Sequence, residues 1–538
     1  MTVVLDGESL SPEDVAAVAR DDARLEIDKA ARERLRESRA RVEDVIESGE
    51  AVYGLNTGFG ELVDERIPPG EIEQLQTNLL RSHAAGAGRE LEREEVRAML
   101  VARINALVTG YSGIRETVVD HLVAICNAGV HPVVRSRGSL GASGDLAPLA
   151  HMSLVLIGEG EAVVEGSNEE DGKRCSGADA LAEIGLEPLS LQPKEGLALI
   201  NGTQLTAGLA ALAVVDGERL VRGADAAGAL TIETSLGTTA TAARAIHEAR
   251  PHAGQLESAR EVRRLTAGSE VVEAHRNCDR VQDAYSLRCL PQVHGAVRDA
   301  LEHLRTAVET ELNSATDNPL VFAGDRVDDR ASGTERAAVL SGGNFHGAPL
   351  ALRLEYARLA LTDLAAISER RIDRLLNPNL QEPHLPPFLA ADSGVESGYM
   401  IAQYTAAALL NELRSIGAAS ADNTPVSGGQ EDHVSMSGQS ALNARRAVEN
   451  ATQVVAAELV CGAQAADYVD DAFETDEPLS LGVGTSAVYD LIREVVPSLE
   501  ADRPVHTDVD QVAELLAEGL VDETIERATD DSPPIDDD

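Results

Sequence analysis

Three stretches, residues 350–376, 398–415 and 437–469, run as Ala- and Leu-rich helical patterns with few Gly or Pro to break them. Ala and Leu are among the strongest helix formers, and apolar side chains recurring at helical spacing give each stretch a face to bury. Aromatic residues make up only 2% of the 538 residues, and Trp is absent. The core must then be assembled from Ala, Leu, Val and Ile, a mixture suited to helix packed on helix. The architecture expected is mainly α, with long packed helices, irregular glycine-rich loops and minor β pieces.

Charge excludes several kinds of partner. The formal net charge is −45, which repels nucleic acid and anionic membrane surfaces alike. Of the 46 basic residues only Lys29, Lys173 and Lys194 are lysines. Dense surface carboxylate with almost no lysine fits a salt-rich cytoplasm, where screening relieves self-repulsion. The cysteines (Cys126, Cys175, Cys278, Cys289 and Cys461) are scattered, odd in number and without a CxxC pair. That argues against a disulfide framework or a zinc site and for a reducing compartment. The N-terminus has no signal-peptide pattern, and no uncharged apolar run reaches membrane-spanning length. A soluble, cytoplasmic protein is expected. No metal is expected either, because HExxH, Cys/His clusters and DxDxDG are all missing from the sequence.

Ser11-Pro12-Glu13-Asp14 reads as a capped helix start, with helical periodicity expected through residue 50. Residues 51–63, "AVYGLNTGFGELV", read as a loop, and helices are expected over 71–84 and 91–108. "GEAVVEG" (160–166) and "LTIETS" (230–235) look strand-like, while 166–179 and 324–337 are polar and turn-rich. The acidic, Pro-containing end, 526–538, is expected to be disordered.

The stretch "GSLGASGDLAPLAHM" (138–152) stands apart. Its glycines permit sharp turns, Asp145 can cap a helix, and Leu146 onward supplies an apolar face. It reads either as a structural loop-to-helix junction or as an anion nest, which would make the chain a non-catalytic, anion-binding helical assembly. No P-loop Lys-Ser or Lys-Thr pair follows it. Five more irregular loops carry polar groups: 53–60 with Tyr53; 194–204 with Asn201; 281–295 with Gln282, Tyr285, Arg288 and Gln292; 341–347 with Phe345; and 427–436 with Glu431. Each alone reads as packing or as a solvated charge. Together, in a chain otherwise built of Ala/Leu helices, they point to one pocket.

"GSLGASGDLAPLAHMSLVLIGEG" resembles the signature of the aromatic amino acid ammonia-lyases, and the resemblance covers about residues 5–520, taking in every loop above in order. It implies that Ala142, Ser143 and Gly144 cyclise and dehydrate to 4-methylideneimidazol-5-one (MIO), an electrophile the chain makes for itself without a separate cofactor. It also implies Tyr53 as the base for the β-proton, Tyr285 beside the reacting carbon, and Arg288 on the substrate carboxylate, a task suited to its bidentate fork. Asn201 and Gln282 would line the site, and Phe345 would pack on the substrate ring. His83 in "NLLRSHAAGAG" and Glu431 in "QEDHVSM" are similar to the selectors of histidine-specific members. The reaction implied is elimination of ammonia from L-histidine to give trans-urocanate, the first step of histidine degradation. Tyrosine or phenylalanine lyase and aromatic aminomutase activities are the alternatives. The family implies a homotetramer with shared active sites. Its architecture implies an MIO-bearing N-terminal region (1–200), a long central helix bundle (201–525) and the acidic tail (526–538). The sequence departs from the family at Gly428-Gly429, where Ala-Asn is usual, and at His294, where Met is usual.

Overall fold

The structure is a computed structural model, and it describes every residue except 50, 51, 53, 56–67, 167–171, 279, 327–330, 422, 476 and 531–538. Twenty α-helices and a few short strands make up the described residues, so the mainly α reading holds. No helix among them is long and apolar enough to cross a membrane. The longest helices are Gln204–Thr234, Leu290–Leu312, Ala348–Leu376 and Ser437–Ala466. The last two follow closely the Ala/Leu runs that announced them.

The chain forms two compact units, each assembled from three segments. The first contains Met1–Val215, Leu304–Glu355 and Ala418–Arg445, and the second contains Asp216–His303, Tyr356–Gly417 and Arg446–Asp538. The expected division at residue 200 differs from this, because segments after residue 300 return to the first unit. A split along the sequence cannot express such a return.

In the first unit, Ser11 caps helix Pro12–Arg20 through a reciprocal capping box with Asp14, as expected. The helical pattern expected through residue 50 is interrupted, however. Asp22 takes a positive φ of 54°, and Arg24–Ile27 is a strand paired in parallel with Thr2–Leu5. Leu25 is buried where its neighbours Arg24 and Glu26 are exposed, the period of a strand with one covered face. Helix Lys29–Ser48 then begins at Asp28, which accepts from the Ala30 and Ala31 N–H groups. Val42 and Val45 of that helix pack with Val52, Leu55, Val321, Ala337 and Val339 in one apolar cluster. The strand expected within 160–166 is Glu161–Val164. The polar loop expected over 166–179 instead supplies the strand Lys173–Ser176 and the start of helix Gly177–Glu183. Within 324–337, the two-residue strand Ser332–Gly333 pairs with Ala337–Leu340.

In the second unit, "LTIETS" is helical, not extended. It closes helix Gln204–Thr234 with all six residues buried. Tertiary packing overrides the β preference of Thr and Ile here, and Thr231 donates to Glu458 at 2.9 Å. Glu458 and Arg371 form a fully buried pair with two hydrogen bonds, Nε–Oε1 at 2.5 Å and Nη2–Oε2 at 2.9 Å. His294, one of the two departures named above, joins this network. Its Nδ1 lies 2.7 Å from Asp225 Oδ1, and its Nε2 faces Arg371 Nη1 at 3.2 Å. Because the guanidinium can only donate, His294 is neutral, with its proton on Nδ1; burial holds it below the usual imidazole range. Replacing Glu458 by Ala leaves Arg371 buried and unpaired, so a thermal melt at constant salt is expected to register a loss of about 3–5 kcal/mol. The disorder expected from residue 526 does not hold for its first part: helix Leu520–Asp530 runs through Glu526–Asp530, with Ile525 and Thr529 buried, and 531–538 lie outside the described residues.

Candidate active site

Gly138 to Gly144 form the loop that precedes helix Leu146–Leu154. Gly144 sits at φ +77°, and a Cβ there would lie 2.1 Å from the Gly202 carbonyl oxygen. Only glycine fits this close approach. Gly202 O also accepts from the Asp145 N–H at 2.6 Å. Ala142 is buried and Ser143 half-buried. Asn201 Nδ2 donates to the Ser143 carbonyl oxygen at 3.0 Å, and Ser143 Oγ donates to Glu431 Oε1 at 3.0 Å. Three of the sequence-derived residues therefore meet by direct hydrogen bonds.

Two distant segments wrap this loop. Gly347 N–H and Ser435 Oγ both donate to Gly141 O at 3.0 Å, and Met436 N–H donates to Leu140 O at 2.7 Å. Gly347 closes the turn that carries half-buried Phe345, which puts that turn beside the triplet. Asp145 occupies the N-cap position of helix Leu146–Leu154 but makes no side-chain cap. Its buried carboxylate instead accepts from Ser139 Oγ at 2.6 Å, Thr206 N–H at 2.8 Å and Thr206 Oγ1 at 3.1 Å. Thr206 in turn bonds Ser437 at 3.0 Å. Burial pushes the Asp145 carboxyl up, and these bonds oppose the shift. The carboxylate thus ties the loop to the start of helix Gln204–Thr234, and through Thr206 to Ser437, instead of capping its own helix.

His83 ends helix Ile72–His83. Its Nδ1 lies 2.9 Å from the Leu79 carbonyl, which fixes the proton on Nδ1 and leaves Nε2 as an acceptor. Burial holds the imidazole below its usual value, while the Leu79 carbonyl and the negative charge of Glu431 pull it back. In the second unit, Gln282, Tyr285 and Arg288 gather with one another. Arg288 donates to Gln282 Oε1 and lies with its Cζ 5.6 Å from the Tyr285 ring centroid. Tyr285 is 73% exposed. Tyr53 lies outside the described residues.

Thr206, Ser435, Ser437 and Arg103 were not among the residues read from the sequence. The hydroxyls carry no local signal. Arg103 does carry one, as a charge in the middle of the apolar run "AMLVARINALV".

A loop of small residues, crowded by glycine against glycine and gripped through its carbonyl and hydroxyl groups, belongs to an enzyme of a known kind. The family model described as aromatic amino acid lyase matches residues 10–494, and this chain belongs to that family. A protein of Halobacterium salinarum named probable histidine ammonia-lyase is 64% identical over 528 residues, 98% of each chain. The crystal structure of histidine ammonia-lyase from Trypanosoma cruzi superposes with a TM-score of 0.87 at 40% identity, covering 98% of this chain and 96% of that one. Tyrosine aminomutase from Streptomyces globisporus gives 0.89 at 38% identity, covering 98% and 99%.

Proposed function

We infer that the chain is a carbon–nitrogen lyase that eliminates ammonia from L-histidine, giving trans-urocanate, the first step of histidine degradation. The observation that carries this reading is the 3.0 Å bond from Ser143 to Glu431. It joins the reactive triplet to a carboxylate whose charge also acts on His83. A carboxylate and an imidazole acceptor can take hydrogen bonds from a substrate ring N–H, which a phenyl ring cannot supply. The relatives named for histidine support the same substrate.

The triplet fits MIO. Gly144 is pressed on Gly202 with no room for a side chain, and Asn201 holds the carbonyl that would become the ring ketone. Once formed, the group supplies an electrophilic methylene that makes the departing nitrogen a better leaving group. The chain's own residues do the rest. Tyr53 takes the β-proton, Arg288 holds the carboxylate with its fork, Gln282 lines the site near that carboxylate, and Tyr285 sits beside the reacting carbon. Phe345 packs on the ring. Loss of the Ser143 hydroxyl frees Glu431 Oε1 for the substrate. Glu431→Gln is expected to lower kcat/KM for histidine roughly ten- to a hundredfold, the worth of about 1.5–3 kcal/mol for a bond to a charged group, measured on fully matured protein.

The working form is a cytoplasmic homotetramer with shared sites. Helix Ala348–Leu376 leaves Leu352, Tyr356 and Leu359 exposed at i, i+4, i+7 spacing, and helix Met400–Ser415 leaves Ile401 and Tyr404 exposed. Exposed apolar stripes of this kind support burial against other copies, as does the exposure of Tyr285. An assay with histidine, tyrosine and phenylalanine tests the reading. Urocanate formation is the expected result, and turnover of tyrosine without histidine would overturn it in favour of a tyrosine lyase or aminomutase.

A further inference from the structure

Arg103 is fully buried in helix Arg93–Val108. Among the described residues its only hydrogen bonds run from Nη1, to the Asn201 carbonyl oxygen at 2.9 Å and to Gln204 Oε1 at 2.7 Å, and Nε and Nη2 have no partner there. Gln204 is fixed in turn, donating to Thr316 Oγ1 at 2.6 Å. Asp317 acts on Arg103 only through its charge, and its carboxylate is engaged by Lys194 at 2.6 Å. Burial brings the guanidinium down to about 10. A buried cation held by two neutral acceptors is costly, and an apolar side chain of similar volume would serve stability as well or better. The contacts of Arg103 therefore need another explanation, and its position supplies one.

Arg103 packs directly behind the Asn201-Gly202 turn. A Cβ on Gly202 would lie 2.8 Å from Arg103 Nη1 and 2.5 Å from Gln204 Oε1. The other side of the same turn meets the triplet. Asn201 grips the Ser143 carbonyl, and the Gly202 carbonyl presses on Gly144 and accepts from Asp145 N–H. We propose that Arg103 is a positioning residue for ring closure, a clamp that holds the Asn201-Gly202 turn so that Gly144 stays against Ala142.

The proposal rests on the MIO reading. In that step the Gly144 nitrogen bonds the Ala142 carbonyl carbon. The Ala142 oxygen leaves as water, taking the Gly144 N–H and Ser143 N–H protons. The Ser143 hydroxyl then leaves as a second water with the Cα proton. One nitrogen, Nη1, bonds both a backbone carbonyl and a side-chain amide from the end of a rigid planar group, a placement that the flexible Lys stem holds less firmly and that Met does not supply.

The test is intact mass of purified, folded protein, with helical circular dichroism and a thermal melt to establish folding. Wild type is expected to be about 36 Da lighter than its sequence, the mass of two waters. Arg103→Met is expected to remain mostly at the unmodified mass, and Arg103→Lys to mature at least tenfold more slowly after refolding. A folded Arg103→Met with the full mass loss at the wild-type rate overturns the clamp. If that variant does not fold, Gln204→Leu decides, since it loosens Arg103 without removing the charge: slowed maturation supports the clamp and a wild-type rate overturns it. A wild-type chain of unmodified mass would take down the MIO reading itself, an outcome distinct from a failure of the clamp alone.

Discussion

Ser143→Ala is expected to yield a folded protein whose turnover of histidine is lower by at least about a thousandfold, the scale on which loss of a covalent catalyst is felt. The fold should survive because Ser143 contributes little to packing. The residue is half-buried, and among the described residues its hydroxyl makes one hydrogen bond, to Glu431, worth about 1 kcal/mol. The gripping bond from Asn201 goes to the backbone carbonyl and is kept. Without a hydroxyl at position 143 there is nothing to eliminate, so the variant can lose at most one water where the parent loses two. Turnover and mass should therefore fall together. Wild-type-like urocanate formation by the variant would end the case for a chain-derived electrophile.

Dilution into low salt is expected to be the other large effect. With 91 acidic and 46 basic residues, most of the excess carboxylate must lie at the surface. At about 0.1 M salt the Debye length is roughly 10 Å and neighbouring carboxylates repel, whereas at roughly 1 M it falls to about 3 Å and they are screened. Many of the arginines already sit in ion pairs, such as Arg32 with Glu116 and Asp120, or Arg115 with Glu195. They are then poorly placed to offset the remainder. The helical signal and urocanate formation should both collapse as KCl is withdrawn and return when it is restored, while an uncharged osmolyte at equal osmolality restores little. The buried Arg371–Glu458 pair is shielded from solvent ions, so the transition should start at the surface. Full activity in dilute buffer would refute the halophilic reading.

Helices Ala348–Leu376 and Ser437–Ala466 were legible because their signal is local and repeated, whereas Leu290–Leu312 begins inside a stretch read as an irregular loop. The triplet loop was legible because close backbone approach demands small residues wherever it occurs. Arg24–Ile27 was hidden because a four-residue strand declares itself only through its partner, Thr2–Leu5. "LTIETS" misled because its β-branched residues are buried on every side of a helix, where propensity has little say. Asp145 was correctly placed at a helix start, yet its partner Thr206 lies 61 residues onward, beyond any capping rule. Arg103 and Asn201 are 98 residues apart, and no spacing argument joins them.

The wrapping of residues 138–144 by Gly347, Ser435 and Met436 also sets a timetable. When a ribosome has just added Gly144, the segments that pin its loop do not yet exist. Roughly 300 more residues must be made, and at 5–20 residues per second that takes roughly 15–60 s. Ring closure should therefore wait until synthesis is nearly complete, and nascent chains stalled before residue 430 should carry three ordinary peptide-linked residues at positions 142–144.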